Sequence, residues 1–124
     1  MSKSVLIDSN IIIYSAIPSQ NKLRLELKDK KITASVISKV EVLGYHNLIE
    51  KEKKYFESFF KLCLLFPIHT TYIEQAIKLR QEREMSVGDA LIASTAIIEG
   101  IPLITANTKD FSHISKLEII NPIA

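Results

Sequence analysis

Glycine is scarce in this chain, and its three residues, Gly44, Gly88 and Gly100, stand far apart. A loop that cradles phosphate needs several glycines within a few positions, so P-loop and dinucleotide-type nucleotide binding are excluded. No G-x-S-x-G elbow is present, which removes that arrangement of a serine hydrolase. The single cysteine, Cys63, excludes an internal disulfide and agrees with a reducing compartment. In the run Leu62-Cys63-Leu64-Leu65-Phe66 it reads as a small core hydrophobe. The three histidines, His46, His69 and His113, are scattered and read as surface or loop residues, so no His/Cys spacing competes for zinc. The longest apolar stretch, near Ala90–Ile98, is too short to span a bilayer and contains Ser94 and Thr95. The first residues have no signal-peptide layout, and the expectation is a cytoplasmic protein with no membrane partner. There is no internal repeat, low-complexity tract or linker.

What remains is a chain of 124 residues, 47% hydrophobic and 24% charged, which suits one folded domain over residues 1–124. A net charge of +2 does not by itself establish a nucleic-acid partner. It does leave a basic exterior around any acidic pocket, which suits a polyanion approaching a cation.

Val5-Leu6-Ile7 is a short continuous apolar run, as in a strand buried on both faces. Ser9 and Asn10 are good N-caps for a helical turn over Ile11–Tyr14, which Pro18 ends. Asn21–Lys31 alternates like a strand through Leu23, Leu25 and Leu27, but its Leu, Lys, Arg and Glu content without β-branching favours helix. Ile32–Ala34 reads as a second strand ending at Ser35, with a helix over Val36–Tyr45. Tyr55, Phe56, Phe59, Phe60 and Cys63 recur at helical spacing and read as core. Leu64–Ile68 is a strand, with Pro67 marking an edge or its end. Thr71 and Glu74 form a capping box ahead of a helix carrying Ile73, Ala76, Ile77 and Leu79. Ser86 opens another helix that Gly100 closes. Pro102–Thr105 and Leu117–Ile120 supply the last strands. Alternating strands and helices imply an α/β fold with a mainly parallel sheet covered on both faces.

Four acids fall where apolar runs meet turns or helix starts: Asp8, Glu41, Asp89 and Asp110. Ligands in parallel α/β sheets bind beyond the carboxyl ends of the strands, near the point where strand order reverses. Asp8 follows the first strand, while Thr105, Asn107 and Asp110 follow a late one. Glu41 and Asp89 lie in early turns of helices that start at the same edge. Each acid also has a local explanation. Ser38–Glu41 and Ser86–Asp89 match capping boxes, Asp8 can cap the turn after it, and Asp110 can start a turn. Together, the four predict a shared site, because converging carboxylates repel unless a hard cation lies between them. Oxygen-only ligands favour Mg²⁺ or Mn²⁺, and such a metal suits phosphodiester hydrolysis.

The segments Leu6-Ile7-Asp8-Ser9-Asn10, Ser38-Lys39-Val40-Glu41, Gly88-Asp89-Ala90-Leu91-Ile92-Ala93 and Thr105-Ala106-Asn107-Thr108-Lys109-Asp110-Phe111 resemble, in order and spacing, those of PIN-domain ribonucleases, particularly the short VapC-type toxins of type II toxin–antitoxin pairs. The resemblance implies a three-layer α/β/α fold with a five-stranded, mainly parallel sheet. It also implies an Mg²⁺- or Mn²⁺-dependent endoribonuclease, an RNA substrate, inhibition by a cognate antitoxin protein, and a homodimer. By motif, Asp8 and Asp89 match the principal metal carboxylates. Glu41 completes the pocket by holding metal or activating water, and Ser9 and Thr105 support the carboxylates. Many relatives carry an acid two residues after the threonine; this chain has Asn107 there, so Asn107 and Asp110 are both candidates for the fourth corner.

Lys22, Arg24, Lys28, Lys30 and Lys31 fit either RNA phosphates or a solvated helix face, and Glu50–Lys54 reads as plain surface. The aromatic helix fits core or, in part, a groove for an antitoxin helix. The rival functions are a catalytically weak PIN-like RNA-binding or RNA-processing module and a doubly wound phosphatase or receiver domain. Asn10 stands where a haloacid-dehalogenase-like enzyme would carry its second Asp, and the paired acids and late-strand Lys of a receiver are absent.

Overall fold

The computed structural model describes residues 3–123. The chain runs β1 (Ser4–Ile7), α1 (Ser9–Ser15), α2 (Asn21–Leu27), β2 (Lys31–Ser35), α3 (Val36–Leu43), α4 (Glu50–Leu62), β3 (Leu64–Phe66), α5 (Thr70–Glu82), α6 (Val87–Glu99), β4 (Leu103–Ile104), α7 (Thr108–Phe111) and β5 (Ile119–Ile120). Five strands form one sheet in the order β3-β2-β1-β4-β5, and every pairing is parallel. The sheet is therefore fully parallel, with β3 at the edge as Pro67 implied. Successive strands step from β1 through β2 to β3 on one side, and β4 and β5 then add on the other. Strand order reverses between β1 and β4, so the crevice expected of such a sheet opens at their carboxyl ends.

Side-chain alternation along the central strands builds two cores. Val5 and Ile7 join Ile11, Ile12, Leu23, Val42, Phe56, Phe60 and Ile104 on the face covered by α1 to α4. Leu6 and Leu103 join Leu79, Ile92, Ala93, Ala96 and Phe111 on the face covered by α5 and α6. Each fully buried Leu, Ile or Phe stabilises the fold by roughly 1.5–3 kcal/mol of transfer free energy. This double burial is why the strands read as unbroken apolar runs.

Several helix starts differ from the sequence expectation. At α1, of the caps the sequence offers, Asp8 takes the role rather than Ser9 or Asn10, its carboxylate accepting from the Ile11 N–H at 2.9 Å. Ser35 caps α3 through the Ile37 N–H, which places Ser38 inside the helix and removes the Ser38–Glu41 capping box. His69 takes the cap of α5 through Nδ1 and the Thr71 N–H, so Thr71 and Glu74 do not form the box. Ser86 and Gly100 bound α6 as expected, with Gly100 left-handed at φ 67°. Asp110 lies within α7 rather than starting a turn.

The aromatic helix α4 divides: Phe56 and Phe60 are buried, while Tyr55 is 38% exposed. Cys63 is half-buried against the same core, and burial pushes its thiol up to about 11. Arg24 donates to the carbonyls of Ser15, Ile17 and Pro18, closing the end of α1, so its role is internal.

Candidate active site

Asp8 leaves the end of β1 with only 5% of its surface exposed. One carboxylate oxygen accepts from the Ile11 N–H and the other from the Thr105 hydroxyl at 2.5 Å. Thr105, fully buried at the end of β4, in turn accepts the Asn107 N–H at 3.0 Å. The two strands flanking the switch point are thus tied through one carboxylate, and Asp8 is held in a single orientation.

Glu41 stands in the second turn of α3, its Oε1 accepting from the Ser9 hydroxyl at 2.7 Å. Ser9 also lies 3.0 Å from the hydroxyl of Ser38, which is fully buried beneath it. The other oxygen, Oε2, reaches across to α6 and rests against Gly88: a Cβ on that residue would lie 2.8 Å from it. The next residue is Asp89, half-buried in the first turn of α6, where its N–H donates to the capping Ser86 hydroxyl. Asp110 projects from α7 and accepts from the Asn107 amide at 2.6 Å. Asp89 and Asp110 share a cleft of about 430 Å³ with Arg83, Glu84, Met85 and Ser86.

The electrostatics join these groups into one site. Burial raises the Asp89 carboxyl above the ordinary carboxylate range; Asp110, Asp8 and Glu41 push the same way, and the Ser86 hydroxyl opposes them. Burial likewise raises Asp8, against the pull of its Thr105 and Ile11 hydrogen bonds, with Glu41 adding to the rise. Asp89 thus feels the other three acids and Asp8 feels Glu41, a repulsion that a cation among them would offset.

The fit to a metal rests on this donor set. Among the described residues no three His, Cys, Asp or Glu side chains are already gathered as a closed ligand cluster. Mg²⁺ does not require one, since it keeps several waters and binds through one or two carboxylates. Asp8, Asp89, Glu41 and Asp110 could hold such an ion at an open, oxygen-only site. A larger hollow of about 540 Å³, between α5 and α6, is lined by Ile68, Ile73, Ile77, Val87 and Leu91 and contains no acid.

The family profile described as PIN domain matches residues 5–117. The chain belongs to the PIN-domain family. A ribonuclease VapC of Rickettsia bellii is 43% identical over 70 residues, which cover 54% of this chain and 52% of that protein. The chain thus matches about half the length of this curated relative. A toxin–antitoxin complex from Klebsiella pneumoniae contains a chain 27% identical, with a TM-score of 0.77 over 95% of this chain and 97% of that one. The DNA-bound VapBC of Salmonella typhimurium gives a TM-score of 0.86 at 20% identity, covering 98% and 99% of the two chains, and shares the fold.

In this PIN domain all seven residues singled out from the sequence lie at one edge of the sheet. Ser9 supports Glu41 and Thr105 supports Asp8, each by a direct hydrogen bond. The two candidates for the fourth corner, Asn107 and Asp110, are hydrogen-bonded to each other, the amide donating to the carboxylate, and of the two it is Asp110 that lines the cleft with Asp89. Ser38, Gly88 and Arg83 were missed. Ser38 sits one helical turn before Glu41, a spacing that signalled proximity but was spent on a capping role. Gly88 opens one of the matched segments, but its neighbour Glu41 comes from another element, and Arg83 lies outside those segments.

Among the described residues no helix is long and apolar enough to cross a membrane.

Proposed function

We propose that this PIN domain is an Mg²⁺- or Mn²⁺-dependent endoribonuclease that hydrolyses RNA phosphodiester bonds as the toxin of a toxin–antitoxin pair in the cytoplasm. The placement of Asp8 and Glu41 close enough to raise the Asp89 carboxyl, beside the cleft that Asp89 shares with Asp110, supports this reading. The name of the Rickettsia relative supports the ribonuclease activity, and the Klebsiella complex supports the antitoxin partner. Asp8, Asp89 and Glu41, with Asp110, would hold the ion, which supplies an activated water and charge stabilisation at the phosphoryl group. Thr105 keeps Asp8 aimed at the cleft. Ser9 holds one oxygen of Glu41, leaving the other, against Gly88, to take a proton from water.

A shallow groove of about 280 Å³ lined by Ile13, Val42, Tyr45, Leu48, Glu52 and Phe56 suits the apolar face of an antitoxin helix. The aromatic helix takes part in it through Phe56. A second copy of the chain completes the proposed assembly as a homodimer.

Purified protein should cut RNA with Mg²⁺ or Mn²⁺ and stop on EDTA, and Asp8→Asn or Asp89→Asn should abolish cutting while the fold persists. Wild-type rates from both variants would sink the mechanism. Asn107, where many relatives hold an acid, favours a second reading as a catalytically weak RNA-binding module. RNA binding without metal dependence or product would select it.

A further inference from the structure

The cleft wall carries one basic side chain, Arg83. Arg83 follows α5 in extended conformation, at φ −162° and ψ 152°, and lines the cleft beside Asp89 and Asp110. The stretch that carries it is fixed at both sides. Met85 is buried in the core, and Arg80, one turn earlier on α5, donates to the Met85 carbonyl at 3.0 Å. The side chain of Arg83 is exposed. An exposed guanidinium on the wall of an acidic cleft is placed to meet an anion entering from solvent. Glu84 shares the wall and disfavours an anion there, so the contact must come from the planar, bidentate fork that Arg offers to phosphate.

We propose that Arg83 is a substrate-positioning residue that grips a phosphate of the RNA strand next to the bond being cut. The proposal rests on the ribonuclease reading above. It places the polyanion's grip on the α5–α6 connection, not on the basic helix α2, where Arg24 is already spent on backbone carbonyls.

The test has two arms, both using the full chain. In the first, a fluorescein-labelled single-stranded oligoribonucleotide is titrated without metal against wild type, Arg83→Ala and Arg83→Lys, at several salt concentrations. Arg83→Ala should weaken binding about tenfold and lower the slope of log K against log salt by about 0.7, the value for one lost single-strand phosphate contact. Arg83→Lys should restore the slope and only part of the affinity, because it keeps the charge without the fork. In the second arm, cleavage with Mn²⁺ should show KM raised about tenfold in Arg83→Ala with kcat within a factor of about two. Unchanged affinity and salt slope would overturn the proposal, as would a fall in kcat at constant KM, which marks a distorted cleft. Binding that behaves as expected without cleavage by wild type overturns the ribonuclease reading and leaves the phosphate grip standing.

Discussion

Replacing Gly88 by alanine separates the placement of Glu41 from the stability of the fold. The new methyl would lie 2.8 Å from Glu41 Oε2 and 3.4 Å from its Cδ. Ordinary van der Waals contact begins at 3.4 Å, so the carboxylate must retreat by 3.4 − 2.8, or about 0.6 Å. The obstructing atom is the tip of an exposed side chain, so it can yield without disturbing the helix. Alanine also suits α6 better than glycine does, by up to about 1 kcal/mol. The melting temperature should hold or rise by up to about 4 °C in a chain of this size. Activity should not survive as well. Displacements near 1 Å cost about a hundredfold when a reacting group must be aligned, so a ten- to hundredfold loss in kcat is expected. Initial rates on a fluorogenic RNA, paired with a thermal melt, give both numbers. Full activity would refute the placement of Glu41 in the machinery. A drop of several degrees would instead show that Gly88 is needed for packing.

Asp89→Asn should lower cleavage by at least about a hundredfold. It should also raise the metal-free melting temperature at pH 7, since it removes a raised, half-buried carboxylate from the field of three others; a lower melting temperature would contradict the electrostatic account. The pH dependence has a definite sign. Asp8 and Asp89 are raised above their ordinary 3.8 on folding, so the folded state binds protons more readily, and the stability they contribute is lost as pH rises from about 4 through the raised values. The metal-free wild type should therefore lose more stability as pH rises from about 4 to neutrality than an Asp8→Asn/Asp89→Asn double variant does, and Mg²⁺ should restore it; parallel curves would argue against this. Thr105→Val removes the donor to the buried Asp8 oxygen and the acceptor of the Asn107 N–H, at a cost of about 1–3 kcal/mol by urea denaturation. Thr105→Ser should keep most of that stability, and an equal loss in both would place the cost in packing instead.

Much of the fold was legible because parallel strands buried on both faces must be continuously apolar, and Val5-Leu6-Ile7 is such a run. Gly100 and Ser86 were equally readable, since each acts through its own backbone neighbourhood. At α1 the sequence offers Asp8, Ser9 and Asn10 as caps without choosing, and the caps of α3 and α5 differ from its reading, because several residues in a row can each accept a helix N–H. Asp8, Ser35 and His69 won over adjacent Ser, Asn and Thr through strand exits that the sequence does not display.

The sequence by itself determined the candidates for the site: Asp8, Glu41, Asp89 and Asp110 stand at chain junctions, and a parallel α/β order sends such junctions to one edge. Only the tertiary structure decided how they cooperate. It set Thr105 against Asp8 across 97 residues of chain, Glu41 against Gly88, and Asn107 as the partner of Asp110. Those pairings follow from strand order and helix packing, which bring together side chains whose separation along the chain has no period. A local pattern can announce an acid, but not what it faces.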